Sequence, residues 1–234
     1  MSSANPKVAI CIITYSRLPE ITRTIAALQE HFIYSGEVLW HIADDGSPVN
    51  YVNDIARAFP SLAFSATITN RGGWGINANA ALDYLKSNPY IFLIEDDYVA
   101  NHDLNIDVGV ALMQTNYKIC AVRYDGLAGH ELNLRLREQK TPIGTFSFMY
   151  IDKDSPHFNI YSNRPHLRHT ARFNCFGKYQ RFKSLGETEE IFAYRVKNSK
   201  KCMDIAVLAD GVLPAFDHIG KSYQGGEKDK ETVR

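Results

Sequence analysis

Short apolar runs alternate with amphipathic stretches over the first hundred residues: VAICIIT, PEITRTIAALQEHF, VLWHIAD, YVNDIARAF, LAFSATIT, INANAALDYLKS and YIFLIED. The β-branched and aromatic runs read as buried strands, and the stretches between them carry apolar residues at helical spacing. Pro19 followed by Glu20 suits a first helical turn, and Ile21, Ile25 and Leu28 share one face. Repeated strand–helix units predict an α/β fold, a Rossmann-like, doubly wound and mostly parallel sheet with right-handed crossovers. After Asn101 the pattern loosens. Residues 104–114 read as a helix, KICAVRY as a strand, and 125–165 as a mixed region of aromatics and turn formers that contains the strand-like GTFSFMYID. ETEEIFAYRVKN resumes helical spacing, CMDIAVLAD reads as a final short strand, and the polar residues 226–234 as a flexible tail. We therefore expect one domain over 1–225, with an N-terminal half to residue 103 and a C-terminal half from 104.

A chain of 234 residues with 45% hydrophobic and 22% charged content can bury a sizeable core. No stretch approaches the roughly 20 apolar residues that span a bilayer, and the first apolar run ends in Tyr-Ser-Arg rather than a cleavage site. The expectation is a protein without an integral membrane segment. Cys11, Cys120, Cys175 and Cys202 form no CxxC or other metal-spaced pair, which fits reduced thiols in a cytoplasm, the host's if the chain is phage-encoded. Cys11, among Ile and Ala, reads as core. Residues 1–117 carry 6 Lys and Arg against 12 Asp and Glu, whereas residues 118–234 carry 20 against 14. That asymmetry fits an acidic cation site beside a basic surface for phosphates or a polyanion, and equally two halves that neutralise each other.

Candidate chemistry sits at the strand ends. IFLIEDDYV runs from apolar residues into Glu95, Asp96 and Asp97, and VLWHIADDGS into Asp44, Asp45, Gly46 and Ser47; the first strand stops at Tyr15, Ser16 and Arg17. In parallel α/β sheets the C-terminal strand ends form the ligand crevice, so three tips converge on one site. Adjacent carboxylates repel one another unless a divalent cation or a basic partner neutralises them; a solvated turn is the plain alternative.

The strings IITYSR, ADDGS, NRGGWGINANAAL and IEDD, in this order over residues 7–103, resemble family 2 nucleotide-sugar glycosyltransferases of the GT-A fold. The resemblance implies a nucleotide-sugar-binding N-terminal half and a C-terminal half that binds the acceptor and supplies the base. Tyr15 and Arg17 would border the base and phosphates of a UDP-sugar donor. Asp45 would accept from the uracil imide N–H, with Asp44 assisting or capping the turn, and Arg71 would face the nucleotide or sugar where Gly72 and Gly73 allow close backbone approach. Asp97 would coordinate Mn²⁺ or Mg²⁺, and Asp96 would contact ribose or sugar hydroxyls; Glu95 stands where the family often has Asp.

In the C-terminal half, TEEIFAYR resembles the family segment whose acid lies six residues before an arginine, which makes Glu189 the candidate general base, with Glu187 and Glu190 as competitors. FDHIGKS resembles the late histidine segment, so His218 would join the metal shell and Lys221 would offset diphosphate charge. Gly177 and Tyr179 resemble a Gly-Gly-Phe segment before the base. They lie in PHLRHTARFNCFGKYQRFK, whose interleaved cations and aromatics would suit a phosphate-bearing acceptor, nucleic acid included, or ordinary packing. Two departures stand out: Asn77-Ala78-Asn79 replaces the common Ala-Arg-Asn, and Trp74 is an addition that would stack on a sugar or pack under its loop. The implied activity is metal-dependent, inverting transfer of a sugar to a hydroxyl acceptor, a modified DNA base or a glycan. The alternatives are a sugar-phosphate nucleotidyltransferase, disfavoured because TYSRLPE is not a glycine-rich phosphate loop, and a nucleotide-binding module without turnover.

Overall fold

Seven consecutive residues, Val8–Thr14, are all buried and form strand β1, as a run of β-branched and apolar residues with both faces covered should. The computed structural model describes residues 5–124, 134–151, 161–180, 185–199, 204–208 and 215–220. After β1 come α1 (Leu18–His31), β2 (Phe32–Ile33), β3 (Val38–Asp44), α2 (Tyr51–Ala58), β4 (Phe64–Ile68), α3 (Trp74–Tyr84) and β5 (Tyr90–Glu95). Then follow β6 (Tyr98–Ala100), β7 (Leu104–Asn105), α4 (Ile106–Thr115), β8 (Ile119–Arg123), β9 (Leu134–Thr141) and β10 (Gly144–Ile151). The described chain closes with β11 (His166–His169), α5 (Thr170–Phe173), α6 (Leu185–Asn198), β12 (Asp204–Leu208) and β13 (Phe216–His218).

Nine strands form one sheet in the order β4-β3-β1-β5-β11-β8-β12-β10-β9. The first four are parallel, as their strand–helix alternation predicts. Beyond β5 the sheet is mixed: β11 runs antiparallel to both β5 and β8, β12 is parallel to β8, and β10 and β9 are antiparallel additions. The expected mostly parallel sheet with a mixed C-terminal region is thus what the chain forms; β9 and β10 join as a hairpin that needs no crossover helix.

Alternation along the central strands feeds two cores. Ile10, Ile12, Phe92 and Ile94 pack toward α1 and α4, whereas Ala9, Cys11, Ile91 and Leu93 pack toward Ala78 and Ala81 of α3 and Phe192 of α6. Burial pushes the Cys11 thiol up to about 12, which fits its reading as core. The helix expected over 104–114 begins at Ile106, because Leu104 and Asn105 pair with β2 and the Asn105 side chain then caps α4 by accepting from Val108 N–H. Helix α3 starts two residues earlier than its apolar spacing suggests, at Trp74, directly after Gly73 at φ +81°. No described helix is long and apolar enough to cross a membrane. Lys221, Cys202 and the tail 226–234 lie outside the described residues.

Candidate active site

Sheet register brings the three strand tips level. Thr14 lies opposite Asp44 and Ile13 opposite Glu95, and β1 carbonyls catch the next residue of each neighbour: Asp45 N–H donates to Thr14 O and Asp96 N–H to Ile13 O, both at 3.0 Å. Above them opens a cleft of about 230 Å³ lined by Tyr15, Arg17, Asp45, Trp74, Glu95 and Asp96, among others. The convergence expected from the sequence is therefore realised in space.

The two acids at the β3 tip divide their tasks. Asp44, 2% exposed, accepts from Ser47 N–H and Ser47 Oγ and caps the turn, the plainer of its two expected roles. Asp45 staples the following loop: Oδ1 accepts from Thr69 Oγ1 at 2.6 Å and Gly72 N–H at 2.8 Å, and Oδ2 from Gly73 N–H at 2.9 Å. Under that restraint Arg71 adopts φ +48°, a left-handed conformation costly for a residue with a Cβ, and its guanidinium sits 5.6 Å from the centre of the Tyr15 ring. Asp45, Arg71 and Gly72 thus form one structural unit at the cleft edge.

At the β5 tip, Asp96 and Asp97 are 3% and 4% exposed. One nitrogen of Arg17 serves both, with Nη1 donating to Asp96 Oδ1 at 3.2 Å and to Asp97 Oδ2 at 2.6 Å. Burial works against the Arg17 charge, but the two carboxylates outweigh it and hold its pKa above the ordinary value. Burial dominates at Asp96, whose pKa rises to about 6 although Thr14 Oγ1, donating to Oδ2 at 2.7 Å, and Arg17 both pull it down. Burial, then Asp97 and Glu189, push Glu95 to about 8.

Asp97 carries the features of a cation ligand. Its Oδ1 is buried with no hydrogen-bond partner, and His218 Nε2 stands 3.3 Å from its Oδ2. His218 is delivered by β13, which pairs with β6 so that His218 faces Tyr98. Gly220 packs so closely on Asp97 that a Cβ there would overlap its carboxylate. Among the described residues no three His, Cys, Asp or Glu side chains enclose a common point, so a cation held by Asp97 and His218 needs further oxygen ligands from elsewhere.

Of the three glutamates on α6, Glu187 and Glu190 are exposed, whereas Glu189 is half-buried and its Oε1 accepts from Asn163 N–H at 2.8 Å. Glu95 feels its charge, so Glu189 is the α6 acid turned toward the strand tips. Asn79, the last residue of the string that departs from the family's Ala-Arg-Asn, clamps the loop before α6: its Nδ2 donates to Tyr179 O at 2.8 Å and its Oδ1 accepts from Tyr179 N–H at 3.0 Å. Trp74 edges the cleft and meets Tyr179 edge-on at 4.8 Å, so it both lines and packs.

The basic segment turns largely inward. Arg168 is 3% exposed, and Arg172 Nη1 donates to the carbonyls of Met113, Asn116 and Ile119 around the end of α4. Lys178 pairs with Asp83. Arg168 and Arg172 thus serve packing and helix termination, whereas Lys178 stays on the surface in its pair with Asp83. Sequence reasoning missed Thr14, which bonds Asp96 and Tyr51, Thr69, which bonds Asp45, and Asn163. Only Thr14 carried a signal, as the polar last residue of an otherwise apolar strand.

The model of glycosyl transferase family 2 matches residues 9–172. Comparison with curated proteins finds no match. Among solved structures, S. aureus TarS 1–349 in complex with UDP-GlcNAc superposes with a TM-score of 0.62 at 17% identity, covering 93% of this chain and 61% of that one. The mannosyltransferase PcManGT from Pyrobaculum calidifontis, in complex with GDP-Man and Mn²⁺, gives 0.54 at 13% identity over 90% of this chain and 59% of its own. GalNAc-T7 with UDP, GalNAc and Mn²⁺ gives 0.62 at 11% identity over 87% and 42%. The chain thus spans between 42% and 61% of the length of these three solved chains.

Proposed function

Because the chain belongs to glycosyl transferase family 2, we propose that it transfers a sugar from a nucleotide diphosphate sugar, a UDP-sugar, to a hydroxyl acceptor with inversion. The observation that carries this reading is Asp97, bonded to the cleft-lining Arg17: a buried carboxylate with one oxygen unpartnered and His218 against the other. Asp97 and His218 would hold Mn²⁺ or Mg²⁺, with donor diphosphate oxygens completing its shell. Bound there, the ion would neutralise the charge that grows on the diphosphate as the glycosidic bond breaks. Complexes of the fold neighbours PcManGT and GalNAc-T7 with Mn²⁺ support that choice of ion.

The chain's own residues do the rest. Tyr15, Arg71 and Asp45 edge the nucleoside end of the cleft, where Asp45 fixes the loop and presents a carboxylate to an imide N–H. Arg17 neutralises the Asp96–Asp97 pair and stands where it can turn to phosphate oxygens. Asp96, anchored by Thr14, offers an acceptor to ribose or sugar hydroxyls. Glu189, held by Asn163 N–H, takes the proton of the acceptor hydroxyl as that oxygen attacks the anomeric carbon; the C–O bond to the diphosphate breaks in the same displacement. A protein of this fold that binds nucleotide without turnover would lose no transfer in Glu189→Gln, whereas a transferase would lose transfer and keep donor binding.

The direct test is a thermal-shift series with UDP, GDP, CDP and ADP, each with and without Mn²⁺, on wild type and Asp97→Ala. Saturation at a hundredfold excess over Kd stabilises by about 2.7 kcal/mol, or roughly 5–10 °C in a domain of this size. A Mn²⁺-dependent shift with UDP that disappears in Asp97→Ala is the expected result. No shift with any nucleotide in the folded protein overturns the reading.

A further inference from the structure

Glu189 stands at one end of a buried polar chain whose other end is an arginine. Arg168 on β11 is 3% exposed, and its guanidinium lies 4.1 Å from the centre of the Phe173 ring. Its polar contacts are the Tyr179 hydroxyl and Asn174 Oδ1, both at 3.5 Å, and its Nε has no partner. No carboxylate pairs with it among the described residues. A guanidinium buried in this way carries a large desolvation cost, so the nearest negative charge reachable through hydrogen bonds matters.

The donors along the chain all run one way. Tyr161 O–H donates to Asn163 Oδ1 at 2.9 Å, so in the 2.5 Å contact between the two phenols Tyr179 is the donor and Tyr161 the acceptor. Tyr179 in turn accepts from Arg168 Nη1. At the far end Asn163 N–H donates to Glu189 Oε1 at 2.8 Å. Tyr161, Asn163 and Tyr179 are 2%, 4% and 4% exposed, so water does not screen the sequence, and successive hydrogen bonds polarise one another. Among the described residues, the titratable groups that sense Glu189 are Glu95 from β5 and Tyr161 and Tyr179 from the C-terminal half, and Arg168 is the cation that acts on both tyrosines.

We propose that Arg168, Tyr179 and Tyr161 are positioning residues for Glu189, a buried cation linked through two phenols and Asn163 to the carboxylate that it holds in place. This rests on Glu189 being the base of the proposed transfer. Arg168 itself touches no substrate. Its influence reaches the cleft through oriented O–H and N–H dipoles.

The test is a ¹³C titration of protein labelled at the glutamate side-chain carboxyls, with Glu189→Gln identifying the Glu189 signal. Tyr179→Phe removes one oxygen and should raise the Glu189 midpoint by about half a pH unit or more. Tyr161→Phe should act in the same direction, and Arg168→Lys, which keeps the charge, should shift it less than Arg168→Met. A second readout is Mn²⁺-supported release of UDP from UDP-glucose, where Tyr179→Phe should lower kcat about tenfold with KM unchanged. An unmoved midpoint in a Tyr179→Phe protein that melts like wild type overturns the proposal, and so does a kcat loss matched by an equal rise in KM. Should Arg168→Met fail to fold, the two Tyr→Phe variants decide. Wild-type UDP release by Glu189→Gln would instead remove the base assignment, a result separable from the titration.

Discussion

Asn79 and Tyr179 grip each other across 100 residues of sequence by both ends of one amide, Nδ2 donating to the Tyr179 carbonyl and Oδ1 accepting from its N–H. The clamp ties α3 to the loop that leads into α6. It also fixes the tyrosine whose ring meets Trp74 at the cleft wall. Asn79→Ala leaves both backbone groups without their partner, so we expect a loss of about 1–3 kcal/mol in urea unfolding. An unchanged unfolding midpoint would show that the loop holds without the clamp.

Asp45 stabilises the loop that carries Arg71. Asp45→Ala removes three accepted hydrogen bonds and releases Arg71 from its left-handed conformation. We expect UDP affinity in the presence of Mn²⁺ to fall by more than about tenfold, equivalent to about 1.4 kcal/mol, while circular dichroism stays native. Calorimetric titration measures it, and wild-type affinity would detach Asp45 from the donor site.

Arg17 and a divalent cation answer the same pair of carboxylates. In Arg17→Gln the Asp96–Asp97 repulsion loses its counter-charge, so the variant should melt lower than wild type at neutral pH. Mn²⁺ should then raise its melting temperature more than it raises that of wild type. Equal Mn²⁺ responses in the two proteins would place the ion away from this pair.

His41 reports on pH far from the cleft. Its ring bonds Ser65 and Thr67 and stacks on Tyr84, and burial lowers its pKa to about 4. In the unfolded chain an imidazole protonates near about 6.5, so between about 6.5 and 4 the unfolded state binds the extra proton. Stability is therefore complete above pH 6.5 and declines as pH falls, by at most roughly 2 kcal/mol at pH 5. His41→Asn should flatten the dependence of the urea midpoint between pH 7.5 and 5; an equally steep slope in the variant would assign it to other groups.

Gly73 and Gly75 are two residues apart and resist substitution for different reasons. Gly73 sits at φ +81° with nothing near a Cβ, so Gly73→Ala carries only the backbone cost, about 1–2 kcal/mol. Gly75 has helical geometry, but its Cβ would come within 2.8 Å of Gln180 O and 3.2 Å of Thr188 Cγ2. Gly75→Ala should be the more damaging in thermal melts, because it pushes the α6 approach off α3.

The legible parts of this chain are those where local pattern and burial coincide. β1, β3 and β5 are continuous apolar runs that end in polar tips, and parallel sheets bury such strands on both faces, so the pattern pointed to the cleft directly. β11 escaped because HLRH has no such signature: Arg168 is buried against Asn174 and Tyr179, and His166 against the carbonyl of Arg164. The same holds for Asn163, whose backbone N–H rather than side chain reaches Glu189. For Asp44 and Asp45 the residue types marked the site, but the division between turn cap and loop staple depends on Ser47 and on a loop 24 or more residues away.

Strand β5 has β1 on one side and, on the other, a strand that the chain supplies only after residue 165. The segment up to residue 103 consequently carries the three strand tips of the cleft without being a folding unit. Severed from the remainder, it would present the apolar flank of Tyr90–Glu95 as an open seam, competent to pair with any extended chain it meets. His166–His169, which closes that seam, is made more than 70 residues after it, so a late segment of the chain acts as the intramolecular guard of an early one.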